Sequence, residues 1–441
     1  MSVAAPFSGR RLHFVGIGGA GMSGLALVAQ ALGAQVTGSD RTESPYLARL
    51  RTAGIEPSIG HEAGNVPDGA EIVYSTAVGP DNPERAAGRA REESELHRGA
   101  LLAQVASLKR CLAISGTHGK TTTAAMAVVA LRACGMEPAY LIGGELRDTG
   151  ANAEWGAGEW IVVEADESDR SLLELRPAIA VVTNLELDHH VTYGSRLELE
   201  RTMRAFLDAA ERAVIWDRPE LLRLRDPVDA TFDVPAPELE PGGSRFVWDD
   251  LDVRLAVPGA HNALNAAAAL TAARLAGADP ATAAAAVSEF RGVGRRFELR
   301  GRTSRGSAMY DDYAHHPTEV RAAIEAARTL APGRVVAAFQ PHLYSRTAAL
   351  WREFGSALAA ADLPVVLDVY RARERPEDFP GVTGHLVAAA AADAAAGRRV
   401  AWLPGFDDAE RFLRGELRDG DLLLTLGAGN VDALGRRLLT D

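Results

Sequence analysis

From Leu12 onward, short runs of β-branched and aliphatic residues alternate with longer Ala- and Leu-rich segments at helical spacing, the pattern of parallel strands joined by crossover helices. The expected fold class is therefore α/β. Three blocks are visible in this rhythm. The first runs from "LHFVGIGGAGMSGLALVAQALGAQVTGSD" through the strand-like "EIVYSTAV" to about Ser107. The second opens on the strand "CLAIS", includes "WIVVE" and "AIAVVT", and extends into the Ala-rich segment starting at His261. The third begins near Arg300 and carries "AMYDDYA", "RVVAAFQP", "PVVLDVY" and "DLLLTLGAG", with helical segments between them. Boundaries are expected at 1–107, 108–299 and 300–441. Residues 226–243 read as a loop or meander, and "HLVAAAAADAAAGRR" reads as a plain surface helix.

Composition agrees with this division, since 441 residues exceed one core of ordinary size and suggest about three domains. A net charge of -12 without any basic run argues against a nucleic-acid partner. The N-terminal "MSVAAPFSGRRLHFVGIGG" has no apolar core flanked by a cleavage site, and no run approaches about 18 strongly apolar residues. A cytoplasmic protein without a membrane partner is expected. Cys111 and Cys134 lack metal-ligand spacing and read as reduced, packed residues.

The chemistry begins at "SGTHGKTTT". Lys109 and Lys120 are the only lysines in a chain with 47 Lys and Arg, so Lys120 stands out. A strand, then Gly116-Thr117-His118-Gly119-Lys120-Thr121, then a helix-forming run is the context of a phosphate loop. Backbone N–H groups hold phosphate oxygens there, the ammonium reaches the terminal phosphates, and the Thr121 hydroxyl suits Mg²⁺. The compact ammonium fits a point contact between phosphates where the planar fork of Arg demands more room. The loop is shorter than G-x-x-x-x-G-K-[ST], because its first glycine is Gly116 and residue 114 is Ile.

An earlier glycine loop, Gly16-Ile17-Gly18-Gly19-Ala20-Gly21, matches G-x-G-x-x-G after a strand, with Asp40 at the end of the next strand. A dinucleotide and a UDP-sugar both satisfy that pattern, because each sets a diphosphate against a helix N-terminus. Glu164, Asp166, Glu167 and Asp169 follow the apolar "WIVV"; Glu164, next to the strand, is the expected Mg²⁺ carboxylate, and a solvated acidic loop is the plainer alternative. His189 and His190, at the end of "LELDHH", leave the next strand on the same side. His261, Asn262 and Asn265 open a helix, where the asparagine amides either pair with a base or cap the helix.

Taken in order, "HFVGIGGAGMSG", "STAVGPDNPE", "SGTHGKTTT", "EADESD", "VVTNLELDHH", "HNALNAAAA", "GVGRRFE", "DDYAHHPTEV", "FQPHLYSRT" and "LGAGN" resemble the Mur ligases over nearly the whole chain, and among them the alanine-adding member. The resemblance implies an N-terminal Rossmann-like domain for a UDP-sugar, a central P-loop ATPase with a mainly parallel sheet, and a C-terminal Rossmann-like domain for the amino acid. It implies that ATP phosphorylates the lactyl carboxylate of UDP-N-acetylmuramate and that L-alanine attacks the acyl phosphate. Both are then partners, with ATP and Mg²⁺ as cofactors and a monomer or homodimer as the assembly. By motif position, Lys120, Glu164, His189 and His316 look catalytic, and Thr121, Glu164 and His189 look like metal ligands. Gly116 to Thr122, Asn262, Arg295 or Arg296, and Asp312 look like ATP contacts. Gly16, Gly18, Gly19, Gly21, Asp40 and Ser75 look like UDP-sugar contacts, and His315, His342 and Arg346 face the alanine. Domain closure around ligands would keep water from the acyl phosphate.

Two departures refine the resemblance. The family often carries a basic residue after the histidine of "QPH", and here Leu343 stands there, which shifts carboxylate recognition toward Arg346. Later ligases of the pathway use a carbamylated lysine to support Mg²⁺, and no lysine follows Lys120. The related ligase that attaches a recycled tripeptide remains open. An NAD-dependent oxidoreductase with a regulatory P-loop domain is the rival from another class, as is a non-catalytic ATP switch; both leave the third block's histidines and arginines without work.

Overall fold

The computed structural model describes residues 5–188 and 192–440 and divides into two compact units. The first unit comprises Met1–Leu185, Leu197–Asp233 and Ala268–Ala286; the second comprises Glu186–Arg196, Val234–Ala267 and Val287–Asp441.

The first unit starts with β1 (Arg11–Val15), α1 (Ala20–Ala31), β2 (Gln35–Asp40), α2 (Pro45–Thr52), β3 (Ser58–Ile59), β4 (Glu71–Tyr74), α3 (Pro83–Ala90), β5 (Glu95–His97) and α4 (Arg98–Ala106). Its strands form a parallel sheet in the order β3-β2-β1-β4-β5. A second sheet follows from β6 (Arg110–Ser115), α5 (Lys120–Ala133), β7 (Ala139–Leu146), β8 (Ala151–Glu154), β9 (Trp160–Glu164), β10 (Ile179–Val182), α6 (Arg196–Asp208), β11 (Arg212–Trp216), α7 (Pro219–Leu222) and β12 (Ala230–Phe232). Its order is β12-β11-β10-β6-β9-β7-β8, parallel apart from the β7–β8 hairpin. Strands β6, β9 and β10 are buried along nearly their whole length, which is why they read as unbroken apolar runs.

The second unit holds a small antiparallel sheet of β13 (Glu238–Glu240), β14 (Gly243–Trp248) and β15 (Leu251–Leu255). The helices α8 (Ala260–Ala276) and α9 (Pro280–Ser288) come next in the chain. A six-stranded sheet is then built from β16 (Glu298–Arg302), β17 (Ala308–Asp312), α10 (Pro317–Thr329), β18 (Val335–Phe339), α11 (Tyr344–Leu358), β19 (Leu363–Val366), α12 (Gly384–Ala394), β20 (Ala401–Trp402), α13 (Phe406–Glu416), β21 (Leu422–Leu426) and α14 (Asp432–Leu439). Its order is β16-β17-β21-β18-β19-β20, with only β16 antiparallel to its neighbour.

The stretch 226–243 that the sequence left open contains β12, β13 and the start of β14. Strands of three residues show no measurable period, so pattern reading had nothing to detect. Cys111 lies buried in β6, where burial pushes its thiol up to about 12 and keeps it inert. Cys134, just past α5, is only partly covered. Among the described residues no helix is long and apolar enough to cross a membrane.

The Ala-rich α12 is a surface helix with one face buried on α11. The approach is close because Gly355 has no side chain: a Cβ there would lie 2.4 Å from the Cβ of Ala390. We expect Gly355→Ala to push these helices apart and destabilise the unit by about 2 kcal/mol. A fall in melting temperature with unchanged far-ultraviolet circular dichroism would register it.

Candidate active site

The site begins where β6 ends. Gly116 adopts φ +128, and a Cβ there would lie 2.2 Å from the Thr183 hydroxyl, so the turn requires glycine. The end of β10 clamps the turn. The His118 N–H donates to Asn184 Oδ1 at 2.9 Å, while its carbonyl accepts from Thr183 Oγ1 at 2.6 Å and Asn184 Nδ2 at 2.9 Å. Gly119, at φ +81, then starts α5 directly, which aims the helix N-terminus at the loop.

Lys120 folds back over this turn. Its ammonium donates to the carbonyls of Gly116 at 2.6 Å and Thr117 at 3.1 Å and sits 2.9 Å from Glu167. Burial disfavours the charge, but the carboxylates of Glu167, Asp166 and Glu164 outweigh it and hold the lysine above its ordinary pKa. Lys120 is thus held as a cation over the glycine turn. Glu164 itself accepts from the Gly143 N–H at 2.7 Å. Thr121 is buried in the first turn of α5. His189 and His190 lie outside the described residues.

The first glycine loop is equally shaped. Asp40 Oδ2 accepts from the Gly18 N–H at 2.8 Å, so this carboxylate braces the loop. Gly16 takes φ +79, and Gly19 starts α1 without a side-chain cap, leaving the helix N–H groups directed at the loop. Ser75 follows β4, and its carbonyl accepts from the Val78 N–H.

In the second unit, Arg346 and Asp188 form a buried two-point pair, with Nε to Oδ1 at 2.9 Å and Nη2 to Oδ2 at 3.0 Å. The remaining nitrogen, Nη1, lies 3.3 Å from His342 Nδ1. One edge of the guanidinium, Nε with Nη2, thus holds Asp188. His315 lies 6.2 Å from His342 between ring centroids, and His342 stacks on Tyr370. Burial drives both imidazoles down, to about 4 for His315 and about 3 for His342, where His315, Arg346 and Arg373 add to the effect. His316 caps α10: its Nδ1 accepts from the Thr318 N–H, and Glu319 returns the bond, a capping box with histidine in the serine position. Glu186, three residues past Thr183, reaches the Thr318 hydroxyl at 2.7 Å.

Arg295 is committed to its own unit, with Nε on Asp311 at 3.0 Å and Nη2 on the Gly427 carbonyl at 2.8 Å, so it braces the "LGAGN" turn. Burial raises the Asp312 carboxyl to about 6, against the pull of Arg296 and the N–H groups of Ala314 and Phe297. Asn262 lies in the first turn of α8 and donates to the Pro258 carbonyl at 2.7 Å, with Asn265 3.4 Å from its Oδ1.

Fold and loops define a multidomain α/β protein with two glycine turns, each placed between a strand and the N-terminus of a helix. Three family models match along it: the Mur ligase family catalytic domain over 11–110, the Mur ligase middle domain over 114–273, and the Mur ligase glutamate ligase domain over 295–429. The chain belongs to the Mur ligase family. It is 43% identical to UDP-N-acetylmuramate–L-alanine ligase of Rubrobacter xylanophilus, covering 97% of this chain and 99% of that one. It is 44% identical to the protein of the same name from Saccharopolyspora erythraea, covering 98% and 93%. The crystal structure of UDP-N-acetylmuramate–alanine ligase MurC from Thermotoga maritima superimposes with a TM-score of 0.84 at 29% identity, over 97% of this chain and 98% of that one. A murein peptide ligase from Psychrobacter arcticus shares the fold, with a TM-score of 0.73 at 23% identity over 98% of each chain.

Sequence reasoning passed over Thr183, Asn184, Asp188 and Glu186 as actors. Their signal was present in "VVTNLELDHH", since polar residues directly after a buried strand need partners. We expect Asn184→Ala, which removes both side-chain bonds to His118, to weaken nucleotide triphosphate binding about tenfold or more, read by calorimetry. The imidazoles of His315 and His342 should not titrate between pH 8 and pH 5 in heteronuclear magnetic resonance, since both pKa values lie below that window. A midpoint near 6.5 for either would contradict the burial that lowers them.

Proposed function

We propose that this chain joins L-alanine to the lactyl carboxylate of UDP-N-acetylmuramate at the expense of ATP, forming ADP and phosphate, as a cytoplasmic step of peptidoglycan precursor synthesis. The observation that carries the reading is the Lys120 ammonium, held charged beside Glu167 on a glycine turn that runs directly into a helix N-terminus. The full-length likeness to alanine-adding ligases supports the choice of substrates.

A carboxylate is a poor acyl donor. Its oxygen therefore attacks the γ-phosphorus of ATP, the bond to the β-phosphate oxygen breaks, and ADP leaves an acyl phosphate. The neutral amine of alanine attacks the acyl carbon, the tetrahedral centre expels phosphate, and the proton lost by the nitrogen passes to that phosphate. Both steps crowd negative charge, which Lys120 offsets on exchanging its carbonyl and Glu167 partners for phosphate oxygens. His316 is the proposed hydrogen-bond donor to the oxyanion of the tetrahedral centre: its Nδ1 takes a backbone N–H, so the neutral ring carries its N–H on Nε2. Asn262, Arg295 and Asp312 are proposed as ATP contacts, and His315, His342 and Arg346 as contacts of the amino acid. Gly16, Gly18, Gly19, Gly21, Asp40 and Ser75 are proposed for the UDP-sugar.

The oxygen donors Thr121 and Glu164 suit Mg²⁺, with His189 the proposed third ligand. The ion would supply charge compensation between phosphate oxygens. The proposed parts are 1–107, 108–299 and 300–441, working as a monomer or homodimer.

Phosphate release should require UDP-N-acetylmuramate, ATP and L-alanine together. Release that is indifferent to L-alanine, or that needs the tripeptide instead, rejects the reading, and NADH oxidation would favour the oxidoreductase. Lys120→Arg should lower turnover by at least about a thousandfold while the melting temperature holds, because a planar fork cannot occupy the point contact.

A further inference from the structure

Arg98 is the first residue of α4, at the end of β5. The start of α4 lies hard against the turn after "EADESD", where a Cβ on Gly99 would stand 2.5 Å from the Ser171 Cβ. From there the guanidinium reaches two acids of that segment. Its Nη2 donates to Asp166 Oδ2 and Asp169 Oδ2, both at 2.7 Å, and its Nε donates to Asp169 Oδ2 at 3.1 Å. Asp169 is almost wholly buried and also accepts from the Ser171 N–H. Asp166 accepts from the Ser168 N–H at 2.9 Å. The segment that follows Glu164 and carries Glu167, the partner of Lys120, is therefore pinned from the side by Arg98.

The third nitrogen points elsewhere. A Cβ on Gly21 would lie 3.4 Å from Arg98 Nη1, which sets this nitrogen at the first turn of α1, directly after the first glycine loop. Among the described residues Nη1 has no hydrogen-bond acceptor, although Nε and Nη2 are both engaged. One guanidinium thus has two nitrogens on the acidic strand end and the third at the helix N-terminus after the first glycine loop.

We propose that Arg98 serves both nucleotide sites: Nη1 binds an oxygen of the UDP-sugar's diphosphate, while Nη2 and Nε hold the acidic segment that positions Lys120. The inference rests on the proposed UDP-sugar substrate. A corner held by the diphosphate keeps the fork planar and oriented, so filling the first loop steadies the Asp166–Asp169 clamp.

Calorimetric titration of UDP-N-acetylmuramate, UDP, UMP and ATP into the wild-type chain and into Arg98→Gln and Arg98→Lys tests this. Both variants should weaken UDP and UDP-N-acetylmuramate about tenfold or more, one lost charge-assisted contact, and change UMP less than about threefold. ATP should also weaken. Lysine keeps the charge and spares the fold, but it cannot serve three partners at once, so Arg98→Lys carries the test if the glutamine variant fails to fold. Unchanged UDP binding in a folded variant overturns the proposal. Equal losses for UDP and UMP reduce Arg98 to a purely structural pin and overturn it as well, as does a loss confined to UDP-N-acetylmuramate. A wild-type chain that binds none of the uridine nucleotides defeats the functional reading itself, which keeps the two failures distinct.

Discussion

An ammonium held at the mouth of a tight glycine turn is the constraint from which much of the site follows. Lys120 loses water there, and the cost is offset only because two loop carbonyls and Glu167 surround it. That arrangement in turn demands a fixed turn, which Thr183 and Asn184 supply from β10, and a fixed acidic segment, which Arg98 supplies from α4. A parallel sheet makes this possible, because the ends of β6, β9 and β10 are neighbours on one edge of the fold.

Arginine does the pinning throughout. Arg98 on Asp166 and Asp169, Arg346 on Asp188 and Arg334 on Asp421 are multi-point contacts, and Arg295 divides its nitrogens between Asp311 and the carbonyls of Gly427 and Gly429. The fork geometry of the guanidinium suits fixed orientation, whereas an ammonium suits a contact that must exchange protein oxygens for phosphate oxygens. The single lysine in the phosphate loop and the many arginines elsewhere are two answers to two different requirements. Leu343 fits the same account: it stands at φ +71 at the start of α11, held by its backbone to Tyr370, with its side chain packed away.

The legible parts were those governed by local chemistry. Buried parallel strands read as apolar runs, and both glycine loops read from spacing, because φ-positive turns and helix N-termini need glycine wherever they occur. Less legible were the partners. Asn184 and Asp188 follow a strand as ordinary polar residues, and nothing in their spacing says that one clamps His118 and the other holds Arg346 over 158 residues of chain. Arg295 and Arg346 were readable as residues of interest, but not that their guanidinium groups are occupied by carboxylates of their own unit.

By itself, then, the sequence determined the α/β class, the order of blocks, the two glycine loops and the family, because periodicity and turn chemistry act over a few residues. Tertiary structure decided the rest: the short strand β12 and the antiparallel sheet near 238–255, which carry too little period to read, and the pairing of Lys120 with Glu167, of Arg98 with Asp166 and Asp169, and of Arg346 with Asp188. A charge chooses its partner by distance and burial in the folded chain, and neither quantity is written in the order of the residues.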